Sequence, residues 1–146
     1  MFEAKDLPYC AQLVALARSE AVTIRGGSSL AGLASDPVEL VNSWASSGGR
    51  LTTLLVGLFH GSLVGLAAGT IDPTSHEGRV EICYVEQAAR GVGVGRALIE
   101  ALLAWFKEQR CIVVDALALP GDRESKRLLE AAGFKTRLLV LRDELG

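Results

Sequence analysis

The hydrophobic rhythm of the chain changes twice, from helical spacing to strand-like alternation and back. From about Leu7 to Ser19, apolar residues recur at helical intervals, and Leu13, Val14, Leu16 and Ala17 supply a stripe for burial. Asp6 is placed to cap this helix. Pro8 suits its first turn, where a missing N–H has no helical partner. GGSSLAGLAS, residues 26–35, reads as a loop or a weak turn of helix. A second helix is predicted after Asp36, with Pro37 in the first turn, over roughly Val38 to Ala45, broken by Ser46-Ser47-Gly48-Gly49. The pattern then turns β-like. Arg50 to Phe59 and Leu63 to Ile71 flank the tight turn His60-Gly61-Ser62 and form a hairpin, which Asp72-Pro73 ends. Arg79 to Val85 is a third strand, with Val80 and Ile82 alternating against Glu81 and Cys83. Helical spacing returns from Gly93 to Gln109 through Val94, Leu98, Ala101, Leu102 and Trp105. Cys111 to Leu119 is a near-continuous apolar run interrupted by Asp115, which suits a strand covered on both faces. Asp122 caps a helix over Arg123 to Ala132, Gly133 ends it, and Lys135 to Leu141 reads as a final strand.

This order, two helices, three strands, helix, strand, helix, strand, predicts a mixed α/β domain. It has an antiparallel start and a βαβ unit in the second half. With no long linker, low-complexity tract or internal repeat, residues 1–146 read as one domain. The chain is 49% hydrophobic and 22% charged, too apolar for a disordered chain. A net charge of −2 argues against a general nucleic-acid binder. The longest apolar runs fall short of the ~20 residues of a membrane span. The N-terminal stretch is acidic where a secretory leader is basic, so a cytoplasmic protein with no membrane partner is expected. Cys10, Cys83 and Cys111 lack the paired spacing of a zinc or redox motif and read as reduced, small apolar residues; no metal site is expected. Residues 1–73 carry four basic and six acidic side chains, residues 74–146 eleven of each. The basic groups thus concentrate in the second half, where the glycine-rich stretch also lies, as a salt-paired surface or a local anion site.

The chemistry-bearing stretch is residues 80–106, VEICYVEQAARGVGVGRALIEALLAWF. A strand runs into a turn holding Arg90, Gly91, Gly93 and Gly95, and the turn opens the long helix. Such a junction leaves backbone N–H groups unpaired, and the helix dipole adds positive potential there. Glycines let a bulky anion approach, and a diphosphate is the natural guest. Arg90 and Arg96 add charge if their geometry faces it. A Walker loop is excluded, because Gly-Lys followed by Ser or Thr does not occur. A dinucleotide fingerprint fails because its third glycine falls on Arg96 or Leu98.

Arg90-Gly91-Val92-Gly93-Val94-Gly95 resembles the signature of the GNAT acyltransferase superfamily: Arg or Gln, two residues, Gly, one residue, then Gly or Ala. The preceding strand ending Cys83-Tyr84-Val85, the long amphipathic helix, and DRESKRLLEAAGF at 122–134 extend the resemblance over nearly the whole chain. It implies a mostly antiparallel central sheet flanked by helices and a βαβ unit in the second half. It also implies acetyl-coenzyme A, or another acyl-coenzyme A, as donor, and no metal. The diphosphate is then expected on the turn amides from Gly91 through Val92, Gly93, Val94, Gly95 and Arg96 to Ala97. The pantetheine arm is expected along Cys83 to Val85 as an added strand. Asp122, Ser125 and Lys126 fall where the family's later helix nears the cofactor, and Asp122 reads equally as an N-cap.

For direct attack by a primary amine of a small molecule or peptide, the resemblance implies an oxyanion donor near the Val85 N–H and a carboxylate base at Glu81. The plain alternative for Glu81 is a solvent-facing strand residue paired with Arg79. The family's usual tyrosine acid falls on Leu129, which cannot donate a proton. Tyr84 is the candidate on the right strand, with the core as its other reading. His76 is read as a surface residue or as an edge of the acceptor cleft. Two further readings stay open: an acyl-coenzyme A-binding sensor with little catalysis, and a non-acyl nucleotide binder. The high apolar fraction is compatible with a homodimer.

Overall fold

Two clusters of buried side chains lie on opposite faces of one sheet, one under two helices and the other under a single long helix against which a further helix leans. The computed structural model describes residues 3–24, 36–46 and 50–146. Residues 26–35 and most of the predicted break at 46–49 lie outside the described residues. The elements are α1 (Leu7–Ala21), α2 (Pro37–Ala45), β1 (Thr52–Phe59), β2 (Ser62–Ile71), β3 (Gly78–Val85), α3 (Val94–Glu108), β4 (Val114–Ala116) and α4 (Arg123–Ala131). The sheet order is β1-β2-β3-β4, with β1, β2 and β3 antiparallel and β3 parallel to β4 across α3. The hairpin and the βαβ unit therefore stand where the pattern put them. Asp36 caps α2, accepting the Glu39 N–H at 3.3 Å with Pro37 in the first turn, whereas Asp6, at the start of α1, makes no side-chain cap bond and accepts the Glu3 N–H at 2.9 Å.

Cys10, Leu13 and Val14 of α1 and Val41 and Trp44 of α2 pack on Leu54, Leu66, Ala68 and Tyr84 of the sheet. On the other face Val94, Leu98, Ile99, Leu102 and Phe106 of α3 cover Ala67, Ile71, Val80 and Val85. Phe106 sits directly on the backbone. A Cβ at Gly69 would come within 2.7 Å of its ring, and one at Gly78 within 2.6 Å. At the other end of α3, a Cβ at Gly57 would lie 2.6 Å from Val94. Burying a ring of this size contributes on the order of 1.5–3 kcal/mol, and the missing side chains permit it.

Five expectations need correction. On α1 the buried set is Cys10, Ala11, Leu13 and Val14, while Leu16 is 45% exposed, because the sheet meets the first half of the helix. On α3, Ile99 and Phe106 are buried in place of Ala101 and Trp105, a rotation of the stripe toward the sheet. In β3, Ala68 pairs with Ile82 and Gly69 with Val80, so Glu81 is the extra residue of a β-bulge. Side-chain parity switches there: Val80, Cys83 and Val85 face α3, while Ile82 and Tyr84 face α1. The run Cys111 to Leu119 yields strand only over Val114–Ala116, and Ile112 is 84% exposed, because no second layer covers it. Lys135 to Leu141 forms no strand and is exposed.

Candidate active site

β3, a short turn and α3 build the site. The Glu86 N–H donates to the Val64 carbonyl at 2.8 Å, extending the pairing of β3 by one residue. Gln87–Ala89 then make one 3₁₀ turn anchored by buried Ala89. Gly91 and Gly93 follow with φ of 86° and 90°. These are left-handed conformations that cost an L side chain roughly 1–2 kcal/mol. A Cβ at either position would meet nothing within 4 Å, so these glycines serve the backbone path and an open approach, not packing. Gly93 caps α3, and the first bond of the helix runs from the Ala97 N–H to the Gly93 carbonyl at 3.0 Å. The amides of Val94, Gly95 and Arg96 are thus the donors a helix start leaves over. Val94 is buried and pins the helix start, Val92 is half exposed, and Gly95 backs onto Leu128 and Val85. An uncluttered row of amides at a positive helix end fits a diphosphate.

The second feature is a fork in the sheet. β3 and β4 pair through Gly78–Val114, Arg79–Asp115 and Val80–Ala116, and no further. Among the described residues, the β3 edge from Glu81 to Val85 has no strand partner on that side, and it leads into the glycine turn. An amide-bearing arm laid there completes a ladder.

The side chains around the turn are tied to one another. Arg90 donates from Nε to the Val85 carbonyl at 2.9 Å and from Nη2 to Glu20 Oε1 at 3.0 Å; its Nη1 lies 3.9 Å from Glu124. Its guanidinium stands 5.4 Å from the centre of the Tyr84 ring. The Tyr84 hydroxyl donates to the same Glu20 carboxylate, and Tyr9 donates to Glu86. Arg90 therefore braces the end of β3, α1 and α4. Burial first, and the Glu20 carboxylate second, push the Tyr84 phenol up to about 12. Arg96 is exposed and pairs with Glu100 at 3.0 Å.

Glu81, on the bulge, accepts from the Thr70 hydroxyl at 2.8 Å and lies 3.9 Å from Arg79 Nε. Cys83 faces α3 with Sγ 3.9 Å from the Gly95 carbonyl, and burial pushes its thiol up to about 12, a poor nucleophile. Asp122 caps α4, accepting from the Ser125 N–H at 3.1 Å and the Ser125 hydroxyl at 2.7 Å. Lys126 is exposed on the same helix, and Leu129 packs against the core. His76 does not join the site. Its Nε2 contacts the Gln109 carbonyl at 2.6 Å, at the far end of α3. That helix is roughly 22 Å long at ~1.5 Å per residue. Among the described residues, no three His, Cys, Asp or Glu side chains gather to hold a metal ion. No helix among them is long and apolar enough to cross a membrane. Glu20, Tyr9 and Glu86 were invisible in the pattern, because Glu20 and Tyr84 are 64 residues apart and no motif links them.

The model of the acetyltransferase (GNAT) family matches residues 25–134, most of the chain and all of the glycine turn. The chain belongs to the GNAT acetyltransferase family. No protein of curated function matches it by sequence. Among solved structures, a mutant protein of Bacillus halodurans superimposes with a TM-score of 0.76 at 15% identity, covering 97% of this chain and 94% of that one. The aminoglycoside N-acetyltransferase AAC(6')-Iy, in complex with a coenzyme A bisubstrate analog, gives 0.70 at 18% identity over 98% and 95%. A ribosomal-protein-alanine N-acetyltransferase from Brucella melitensis biovar Abortus 2308 gives 0.65 at 20% identity over 97% and 96%. In this GNAT chain the sheet, the α3 crossover and the flanking helices are those of the fold these proteins share. Its mixed sheet flanked by helices agrees with the architecture expected from the motif.

Proposed function

We propose that residues 1–146 act as one acyltransferase domain that moves an acetyl group from acetyl-coenzyme A to a primary amine of a small molecule or peptide. One observation carries this reading: the open amides of Gly91 to Arg96 stand at the end of a β3 edge that its neighbour strand has abandoned. The two features fit the anionic and the amide-bearing parts of one elongated ligand. The family supports the donor, and relatives of this fold have been solved with coenzyme A and with a bisubstrate analog. Acetyl-coenzyme A supplies an activated thioester carbonyl.

The chain's own groups supply the rest. The turn amides from Gly91 to Arg96 hold the diphosphate; the Ala97 N–H, expected among them, is taken by the Gly93 carbonyl. Cys83 to Val85 offer backbone to the arm, and the Val85 N–H stands where an oxyanion donor is needed. Asp122, Ser125 and Lys126 flank the cofactor from α4. Glu81 takes the proton of the amine, directly or through water. Tyr84 keeps its proton at neutral pH and donates it in a hydrogen bond to Glu20, so any acid role needs that bond to exchange. Arg90 acts by bracing the turn. The acceptor side is bounded by α1, in the slightly acidic first half of the chain.

A thiol-release assay with acetyl-coenzyme A and a panel of amines tests the reading, alongside calorimetry with coenzyme A. Heat with coenzyme A and turnover of at least one amine are expected. Folded protein that gives no heat with coenzyme A or its acetyl ester, or that yields its site to ATP or NAD, overturns it. One observation favours a second reading: Leu129, partly buried against the core, stands at the place of the usual tyrosine. Binding without turnover across a broad panel marks the chain as an acyl-coenzyme A sensor.

A further inference from the structure

One carboxylate near the glycine turn is matched differently from its neighbours. Glu81 lies beside Arg79, Glu20 and Glu124 beside Arg90, and Glu100 beside Arg96. Asp122 is occupied by the cap of α4. Glu86 is half-buried and accepts from the Tyr9 hydroxyl, a neutral donor. Among the described residues, no ion pair reaches it. A partly desolvated carboxylate without a counter-ion attracts a cation. Glu86 also stands at the mouth of a turn fitted to a diphosphate, where its negative charge opposes donor binding. That opposition is offset when a second, positively charged substrate takes the carboxylate.

The position of Glu86 points to the acceptor side. Its N–H lies on the Val64 carbonyl at 2.8 Å, as the last rung between β2 and β3. Its Cα is about 3.8 Å from that of Val85, whose N–H suits an oxyanion. Side chains alternate after the bulge, so Glu86 takes the α1 face with Ile82 and Tyr84, and there Tyr9 meets it. On α1, Tyr9, Leu16 and Glu20 recur at helical spacing along one stripe, and Leu16 is exposed between the other two. A carboxylate held by a phenol, next to an exposed apolar side chain, suits an aliphatic stem that ends in an ammonium. Resting on the acyltransferase reading, we propose that Glu86 selects the acceptor. It binds a second cationic group, a few carbons from the reacting amine, and Tyr9 is the positioning residue for its carboxylate. The reacting nitrogen attacks as the neutral amine beside Val85, and the charged end stays on Glu86.

The test compares amines of one stem length on the full chain with acetyl-coenzyme A: 1,4-diaminobutane, butylamine and 4-aminobutanoate. Their kcat/KM values should fall in that order, with the diamine about tenfold or more above butylamine. Glu86→Gln should shrink that advantage to about threefold or less and raise kcat/KM for 4-aminobutanoate, with coenzyme A bound as tightly or more tightly. Opposite changes for two substrates do not follow from a damaged fold. Glu86→Asp keeps the charge and should keep most of the diamine's advantage. Tyr9→Phe should raise KM for the diamine about three-fold with little change in kcat. Equal rates for the three amines overturn the proposal, and so does an advantage that Glu86→Gln leaves intact or a variant that lowers all three alike. If Glu86→Gln does not fold, the order of the three amines in the unaltered protein and the Glu86→Asp and Tyr9→Phe results decide. Turnover of none of the three also overturns it, whereas the coenzyme A titration and the wider amine panel report separately on the acyltransferase reading.

Discussion

The glycines of the turn and the glycines of the sheet do opposite things with the same missing side chain. Gly91 and Gly93 have positive φ and empty space around them. Gly57, Gly69 and Gly78 have no such dihedral, and a Cβ on any of them would strike Val94 or Phe106 of α3 at 2.6–2.7 Å. The first pair shapes a surface for something outside the protein. The second group lets a helix settle on a sheet. A substitution in the first should therefore alter binding more than stability, and one in the second the reverse.

The sharpest way to break that contrast is Gly93→Val. Strain and a blocked approach remove two or more charge-assisted amide contacts, so affinity for coenzyme A should fall by roughly 100-fold. Calorimetry reads the loss and thermal melting checks the fold; unchanged affinity would refute the assignment of the turn. Next in size is Gly78→Ala, which overpacks against buried Phe106 and should cost about 1–3 kcal/mol of stability. Denaturant titration measures that cost, and binding by the folded fraction should not change.

Glu20→Gln probes the brace between the turn and α1. The Arg90 pair is partly exposed and worth about 1 kcal/mol or less, so a rise of a few-fold in KM for acetyl-coenzyme A is expected. Burial raises the Tyr84 phenol most and the carboxylate adds to it, so removing the carboxylate should lower that group only part of the way from about 12 toward its ordinary value of 10. Absorbance titration of tyrosinate follows the shift. In the unaltered protein the raised phenol contributes stability that is complete below pH 10 and lost as pH climbs through 12. The smallest effect belongs to Gly95→Ala. Its Cβ would meet Leu128 at 3.4 Å, ordinary contact, and alanine favours a helix by roughly 0.5–1 kcal/mol. Equal or slightly higher melting temperature is expected.

Much of the fold was legible because local chemistry set it. Asp36-Pro37, His60-Gly61, Asp122 and Gly133 mark ends that depend on neighbours in sequence. The glycine turn was legible for the same reason. What could not be read depends on partners far along the chain. The bulge at Glu81 exists because β2 and β3 adjust their register, and one extra residue reverses which face Tyr84 takes. Tyr84 then meets Glu20, which no spacing announces. Leu138 to Leu141 have the composition of a strand, yet a strand also needs a partner, and among the described residues they pair with none.

The arginine that opens the motif has already given its charge away. Arg90 is matched by Glu20 and Glu124, and Arg96 by Glu100. Apart from Lys126 on α4, attraction at the mouth of α3 then comes from fixed peptide dipoles more than from mobile cations competing with dissolved ions. Capture of an anionic ligand there should weaken only gently as ionic strength rises, giving a nearly flat salt titration where a lysine-lined cleft gives a steep one.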